Sequence, residues 1–421
     1  MNTHRVRHLL AERDFALLLA AQFLAQAADG LAQAAFADAL ILEPLQSGTP
    51  TRVLQLFAIT LLPYSLIGPF MGVLVDRWPR RGIMVWTNVA RGVVLVTFVG
   101  WSRLVPGELY IATLTLLGLG RLFLATKGAS LPVLVHDHHL LSANALSGGG
   151  GMVSALAGGV VGVIAVGVVG LTTTFTLAGI VYGAAALLAR RIDNPLAHPH
   201  RPLERFGEAA RRIAGELWEG LVEISRRAEA RVPLIAVFLL RTVGMFVAIS
   251  AILVIKEEFA GEAERFGRLS ISAIALGAAG VGAFLGALTS PAVGRRLHRG
   301  GLILLGFVVS GLGIVVLGGV KNIFAVIALT LLGGYGGFVT KIAVDASVQE
   351  ALPDEYRGRA FALYDILYNL ASVAAGGAMV LLTPLSLRPR LMLSGVFALA
   401  CAALLAPLLT KAGLHLARAE D

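Results

Sequence analysis

The chain has 421 residues, of which 57% are hydrophobic and 14% are charged, whereas soluble domains carry about 25% charged residues. So much apolar sequence does not fit inside a soluble core, and the composition excludes an ordinary soluble enzyme or binding domain. The formal net charge of +9 comes from basic residues spread over the short segments between apolar stretches, so we expect no nucleic-acid partner.

Apolar stretches of about 20 residues recur from one end of the chain to the other, and each can cross a hydrocarbon core about 30 Å thick as a helix. The strands of a membrane barrel would be about half as long, so the pattern predicts an all-α protein embedded in the lipid bilayer. Twelve such stretches, spans 1 to 12, start near these residues: Phe15, Leu54, Ile83, Leu109, Asn144, Leu171, Pro233, Gly267, Leu302, Ile323, Ala360 and Leu391.

Spans 7 to 12 repeat the spacing of spans 1 to 6 with a nearly constant offset of roughly 213 to 220 residues, which is typical of two parallel six-helix repeats. We predict an N-terminal six-helix bundle over residues 1–190, a cytoplasmic linker over 191–231 and a C-terminal six-helix bundle over 232–421. In the linker, apolar residues at helical spacing from Phe206 to Ile224 predict an amphipathic helix. This helix lies along the cytoplasmic membrane face or packs on the bundles as a solvated linker, and the sequence leaves both interpretations open.

The segments between the spans differ in charge according to their side of the membrane. Those on one side, which include both termini and the central linker, carry roughly three times as many lysines and arginines as those on the other. The positive-inside rule therefore predicts that both termini are cytoplasmic, in a multi-pass protein of the inner, cytoplasmic membrane.

A compact basic motif follows span 2 and reads Gly72-Val-Leu-Val-Asp76-Arg77-Trp-Pro-Arg80-Arg81-Gly82. A glycine at a helix end allows close packing, an acidic residue is favoured at the N-terminus of a facing helix, and arginines offer planar forks to carboxylates. The motif resembles the signature loop of the major facilitator superfamily, with Pro79 in place of the second glycine.

This resemblance implies an all-α membrane protein with twelve transmembrane helices in two pseudo-symmetric six-helix bundles. It also implies a cytoplasmic latch that closes the transporter on the inner side. The latch residues are Gly72, Asp76, Arg77, Arg80 and Arg81, with Arg91, Arg357, Arg359 and Asp365 as their partners.

Other segments resemble the branch of this superfamily that holds enterobactin-type and drug exporters. They are the junctions 131–146 and 352–361, together with Asp29 in span 1. The resemblance implies a secondary active, proton-coupled exporter of small amphipathic, drug-like or siderophore-like molecules, which uses the proton gradient and no cofactor. Residues 21–29 and Lys127 also resemble bacterial lysophospholipid transporters, so lysophospholipid flipping stays open as an alternative.

Span 5 departs from the pattern of many antiporters of this superfamily. It has Gly158, Gly159 and Gly162 where those proteins have a Gly-Pro pair. Small residues spaced by four also allow membrane helices to approach closely, so we interpret these glycines as helix-packing residues.

Charged side chains inside the spans are costly and usually face the bundle interior or a water-filled cavity. The resemblance places spans 1, 4, 7 and 10 around a central path, and most of the intramembrane charges fall on these four. We predict a substrate cavity lined by Asp29, Arg121, Lys127, Arg241, Lys341 and Asp345. The balance of charge favours an anionic, zwitterionic or bulky amphipathic substrate.

Asp29 lies near the middle of span 1 and is our first candidate for proton coupling, followed by Asp345 and Asp38. A carboxylate at this depth can take up a proton from one side and release it to the other. The alternative is a permanent salt bridge, such as Asp29 with Arg121, or Lys341 with Asp345 one helical turn away.

Other chemistries lack support in the sequence. The histidines at positions 136, 138 and 139 have no second ligand cluster, so we expect no metal site. No G-x-x-x-x-G-K sequence and no nucleophile constellation occur, so we expect neither a nucleotide-driven pump nor an enzyme. A non-transporting membrane sensor or an integral membrane enzyme is the alternative of another class, and we expect a monomer.

Overall fold

The computed structural model of the chain describes residues 10–37, positions 51, 54–55, 58, 61, 65, 68–71 and 75, and then residues 78–101, 108–135, 140–193, 206–259 and 271–415. The described residues form helices joined by short turns and contain no strand. Its twelve α-helices are numbered in chain order: α1 (Arg13–Ala37), α2 (Arg80–Trp101), α3 (Glu108–Leu134), α4 (Leu140–Val169), α5 (Leu171–Arg190), α6 (Phe206–Arg226), α7 (Ala228–Glu258), α8 (Ile271–Val293), α9 (Arg299–Gly318), α10 (Ile323–Ala351), α11 (Asp354–Leu381) and α12 (Leu387–Lys411).

Eleven of these helices coincide with predicted spans, and α6 coincides with the predicted linker helix. α1 is span 1, α2 to α5 are spans 3 to 6, and α7 to α12 are spans 7 to 12. Span 2 lies mostly outside the described residues. Several helices begin before the predicted start, as α11 does at Asp354 instead of Ala360, because hydropathy marks only the apolar part of a helix that continues past it.

Nine of the described helices are long and apolar enough to cross a membrane, namely α1, α3, α4, α5, α7, α9, α10, α11 and α12. Large apolar side chains such as Val160, Ile164 and Leu404 point outward from these helices and are exposed in the isolated chain. Exposed valines and leucines along apolar helices are the surface that a lipid bilayer covers, so the chain has the character of a multi-pass membrane protein.

The described residues form two compact units. The first contains α1 to α5 and the start of α6 up to Arg211, and the second contains positions 51, 54–55, 58 and 61 together with the chain from Arg212 onward. In the first unit, α1 packs against α3, α4 and α5, and α2 packs against α3 and α5. Its apolar core includes Phe15, Leu18, Phe123 and Leu131, all of which are buried.

Glycines of α4 let its backbone approach that of α1. A Cβ atom on Gly158 would lie 2.0 Å from the carbonyl oxygen of Ala27, and one on Gly30 of α1 would lie 2.2 Å from the carbonyl oxygen of Ala155. Neither position has room for a side chain. The helix-packing interpretation is therefore confirmed for Gly158 and also for Gly162, where a Cβ would lie 2.9 Å from Cα of Leu31, but it is wrong for Gly159, where a Cβ meets nothing within 4 Å.

We expect Gly158→Ala to lower the unfolding temperature of the purified protein in detergent, because the added methyl group forces α1 and α4 apart at a cost of about 1–3 kcal/mol. The neighbouring Gly159 is the matched control, since a Cβ there meets nothing within 4 Å. Gly159→Ala should leave the unfolding temperature unchanged or raise it slightly, because alanine favours helix more than glycine. Equal destabilisation by the two variants would contradict this account of the α1–α4 contact.

The second unit contains α7 to α12. α7 packs against α10, α11 and α12, α10 packs against α8 and α9, and α9 packs against α12. Glycines again set the closest approach: Cβ atoms on Gly282 of α8 and Gly334 of α10 would lie 1.9 Å and 2.0 Å from backbone oxygens of the facing helix. The buried core of this unit includes Phe307 and Leu329.

Arg388 ties together three helix ends of the second unit. Its Nε donates to both carboxylate oxygens of Glu258 at 2.9 Å and 2.8 Å, at the end of α7. Its Nη1 donates to the carbonyl oxygens of Gly318 and Val320 at 2.8 Å each, at the end of α9. Because charge-assisted bonds to a carboxylate are stronger than neutral ones, Arg388 fixes the start of α12 against α7 and α9.

The linker helix α6 packs on the start of α11. Glu219 forms a salt bridge of 2.8 Å with Arg359, and a Cβ on Gly220 would lie 2.9 Å from Cβ of Arg359. The opposite face exposes Trp218 and Leu221. A helix is therefore present at the predicted position, and one of its faces packs against α11 of the second unit.

Candidate functional site

The buried charges of the first unit meet at Asp29 on α1. Its Oδ1 accepts hydrogen bonds from Nη1 of Arg91 on α2 at 2.9 Å and from the hydroxyl of Tyr182 on α5 at 2.5 Å. The side chain of Arg91 is 0% exposed and that of Asp29 is 21% exposed. Three helices therefore converge on one carboxylate in the interior of the unit.

Further contacts hold the Arg91 guanidinium. Its Nη2 donates to Oδ1 of Asn88 at 2.5 Å. Its central carbon lies 4.4 Å from the ring centroid of Tyr182 and 5.2 Å from that of Phe123, so both rings contribute cation–π attraction. Because a guanidinium keeps its charge in proteins, this cluster compensates a permanent buried cation.

This geometry differs from the sequence-based expectation for both charges. We expected Arg91 among the partners of the latch and Arg121 as the structural partner of Asp29. Instead, Arg91 lies against Asp29, and the Arg121 guanidinium lies beside Gly68, where an added Cβ would be 2.7 Å from its Nε. The sequence places Asp29 and Arg91 in different spans but does not give the rotation of α2 that brings them together.

A second polar network of the first unit centres on Ser147 of α4. Lys127 on α3 donates to Oγ of Ser147 on α4 at 2.8 Å, and that hydroxyl donates to Oε1 of Gln22 at 2.7 Å. Nε2 of Gln22 donates in turn to Oε1 of Gln26 at 2.7 Å. Gln22, Gln26 and Asp29 are spaced by four and three residues, so they form one polar stripe along α1.

The second unit encloses a cavity of about 360 Å³ between α7, α8, α10 and α11, which we call the second-unit cavity. Two predicted cavity residues, Arg241 of α7 and Lys341 of α10, line it. The rest of the wall is mostly apolar or glycine, apart from Thr330 and Tyr368. A mostly apolar wall with a few charged groups is typical of small-molecule sites.

Lys341 is paired within its own helix. Its Nζ lies 2.5 Å from Oδ2 of Asp345, and both side chains are partly exposed, at 37% and 27%. Oδ1 of Asp345 has no hydrogen-bond partner in the described part of the chain. Nζ of Lys341 also lies 5.5 Å from the ring centroid of Tyr364, whose hydroxyl is buried without a hydrogen bond. The pair anticipated from its i, i+4 spacing is present, and its cation is more exposed than that of the Asp29 cluster.

Arg241 is held differently from the other intramembrane cations. Its central carbon lies 4.4 Å from the ring centroid of Tyr368, which stacks on Tyr364 at 6.0 Å between centroids. Its Nε is buried and has no hydrogen-bond partner, and no carboxylate lies within salt-bridge distance of it among the described residues.

The described latch residues of the first unit contact the C-terminal ends of other helices. Arg80 donates to the carbonyl oxygen of Ala129 near the end of α3 at 2.6 Å. Arg81 donates to the carbonyl oxygen of Ile192, just after α5, at 3.0 Å. These bonds tie the start of α2 to α3 and to the segment that follows α5.

In the second unit, Arg357 donates to the carbonyl oxygen of Gln349 near the end of α10 at 2.7 Å, and Arg359 pairs with Glu219 as described above. Asp365 is half-buried, and its backbone oxygen accepts a hydrogen bond from Asn369. The remaining latch residues Gly72, Asp76 and Arg77 lie outside the described residues, as do Asp38 and the histidines at positions 136, 138 and 139. No cluster with metal-binding composition occurs among the residues that are described.

Sequence reasoning missed the uncharged members of both clusters. Asn88 and Tyr182 in the first unit, and Tyr364 and Tyr368 in the second, contact the charges directly. A usable signal exists for Asn88, which precedes Arg91 by three residues and so lies on the same helix face. Tyr182 has no such signal, because its partner is remote in sequence.

Comparisons with known proteins agree with this architecture. Residues 18–376 match the sequence profile of the Major Facilitator Superfamily. A relative from Mycobacterium tuberculosis, named an uncharacterized MFS-type transporter, is 28% identical over 385 residues, which cover 87% of this chain and 85% of the relative. BacE of Bacillus amyloliquefaciens, whose name assigns it to bacilysin export, is 28% identical over 322 residues, which cover 74% of this chain and 75% of BacE.

Solved structures with a similar fold are also transporters. A POT family transporter in complex with a thioalcohol-conjugated peptide has a TM-score of 0.73 at 13% identity, over 95% of this chain and 96% of that one. The nucleoside transporter NupG has a TM-score of 0.65 at 11% identity, over 94% and 98% of the two chains. At such identities the likeness concerns the fold alone.

Proposed function

This chain belongs to the Major Facilitator Superfamily, and we propose that it is a proton-coupled secondary active exporter of small amphipathic molecules. It is a multi-pass membrane transporter and not an enzyme, as its family and its named relatives indicate. The similarity to BacE, which is named for export of bacilysin, supports the outward direction. We further propose that it works by alternating access, in the inner membrane.

We propose that the two units are six-helix repeats with both termini in the cytoplasm. The packing of helices within each unit supports the six-helix repeats. In the first unit span 1 packs on spans 4, 5 and 6, and span 3 packs on spans 4 and 6. In the second unit span 7 packs on spans 10, 11 and 12, and span 9 packs on spans 10 and 12. Each of these five pairs is matched by the pair six spans later, as expected for two parallel repeats.

For proton coupling we propose Asp345 ahead of Asp29, which reverses the order favoured by the sequence. The observation that carries this choice is the partly exposed Lys341–Asp345 pair beside the second-unit cavity. A lysine is a flexible point charge that can leave its partner, and one oxygen of Asp345 makes no hydrogen bond. Asp29, by contrast, holds a fully buried guanidinium and cannot take up a proton without leaving that cation uncompensated.

The experiment is transport by the purified protein in sealed liposomes, with fluorescent amphipathic dyes of both charges. We expect an imposed pH gradient to change the rate of dye movement and to drive accumulation, and we expect a protonophore to remove that effect. If every dye moves only down its own gradient and ignores pH, coupling is absent and the proposal fails. A fluorescent lysophospholipid tested in parallel separates dye export from the lysophospholipid alternative.

A further inference from the structure

The second-unit cavity carries an excess positive charge. Arg241 and Lys341 are the charged residues on its described wall, and no carboxylate lines it. The charge of Lys341 is offset by Asp345 at 2.5 Å, one turn along α10. The charge of Arg241 has no such partner among the described residues, so the described wall of the cavity carries one cation that no carboxylate offsets.

Arg241 is also positioned to receive a ligand. A guanidinium offers five N–H donors in a planar fork, yet Arg241 stacks on Tyr368 and leaves a buried Nε without a hydrogen bond. Burial of polar groups without partners is unfavourable, so an arrangement of this kind is best explained by a partner that arrives from outside the protein. The planar fork matches a carboxylate or a similar oxyanion.

The wall near Arg241 suits a flat apolar body. Gly333 and Gly337, one turn apart on α10, line the cavity, and a Cβ built on either meets nothing within 4 Å. Gly334 contacts the backbone of α8. Gly333 and Gly337 make no such contact, so their lack of a side chain leaves space in the cavity and is not needed for helix packing. Phe338 and Met245 add an aromatic and a polarizable apolar surface to the same cavity.

We propose that the second-unit cavity binds an amphipathic monoanion, whose single carboxylate or sulfonate pairs with Arg241 while its flat apolar body lies over Gly333 and Gly337. Because Arg241 has no salt-bridge partner among the described residues, we expect the ligand to carry one negative charge. The inference rests on the proposed function only in treating this anion as the transported substrate; the binding site itself follows from the cavity.

The test is binding to the purified full-length protein in detergent by isothermal titration calorimetry, with three probes of equal shape: 1-naphthoate, neutral 1-naphthylmethanol and cationic 1-naphthylmethylammonium. We expect the wild-type chain to bind 1-naphthoate at least about tenfold more tightly than the neutral analogue, as a charge-assisted hydrogen bond requires. Arg241→Gln should abolish this preference, whereas Arg241→Lys should keep part of it, since it retains the charge but not the fork.

Two further variants protect the test against misfolding and against binding elsewhere. Gly337→Leu, which adds a side chain into open space, should fold and should weaken all three probes because it fills the cavity. Arg226→Gln, at an exposed arginine on α6, should leave every affinity unchanged.

The proposal is overturned if wild type shows no preference for 1-naphthoate or does not bind it. It is also overturned if Arg241→Gln or Gly337→Leu leaves the affinity for 1-naphthoate intact. Binding with the expected preference but without transport in liposomes would refute the proposed function and leave the site standing. Transport of a cationic dye without binding of 1-naphthoate would refute the anion site and leave the proposed transport function standing.

Discussion

Arg91→Leu is expected to destabilise the protein by about 3–5 kcal/mol, the typical cost of removing one member of a buried ion pair. The substitution removes the cation that Asp29 faces, so that among the described residues the carboxylate keeps the hydrogen bond from Tyr182 alone. It also removes the cation–π attraction between Arg91 and the rings of Phe123 and Tyr182. Thermal unfolding of the purified protein in detergent measures the loss, and Arg190→Leu, at an exposed arginine at the end of α5, should change it by no more than about 0.5 kcal/mol.

The interaction energy between Asp29 and Arg91 can be measured by a double-mutant cycle. Combining Asp29→Asn with Arg91→Leu removes both charges, so the double variant should be less destabilised than the sum of the two single variants. Strict additivity would show that the two side chains do not interact energetically. Asp29→Asn alone should also lower the unfolding temperature, because it leaves Arg91 buried without a carboxylate. If Asp29→Asn kept full stability and lost only transport, Asp29 would be a coupling residue and not a structural one.

The helices of this protein were largely predictable from its sequence, because a segment that crosses lipid must satisfy its backbone within a helix and must be apolar. The Lys341–Asp345 pair was predictable too, since residues four apart share one helix face. In these cases the interaction is local, and the helical repeat alone brings the groups together.

Contacts between helices were not predictable in the same way. Asp29 was assigned Arg121 as its structural partner but contacts Arg91, because the rotation of each helix about its axis depends on packing that hydropathy does not encode. Glycines in the sequence indicate part of that packing, since Gly158 lies against the backbone of Ala27. The second-unit cavity depends on four helices at once, so the role of Tyr368 beneath Arg241 emerged only from the structure.

Asp345→Asn is expected to eliminate the response of transport to a pH gradient, and at the same time to increase the affinity of the second-unit cavity for an anion severalfold. Asparagine cannot exchange a proton, so the coupling is lost. It also carries no charge to offset Lys341, so the lysine becomes a second free cation on the cavity wall. Transport in liposomes and titration with 1-naphthoate measure the two effects, and Glu257→Gln, at an exposed carboxylate, should change neither.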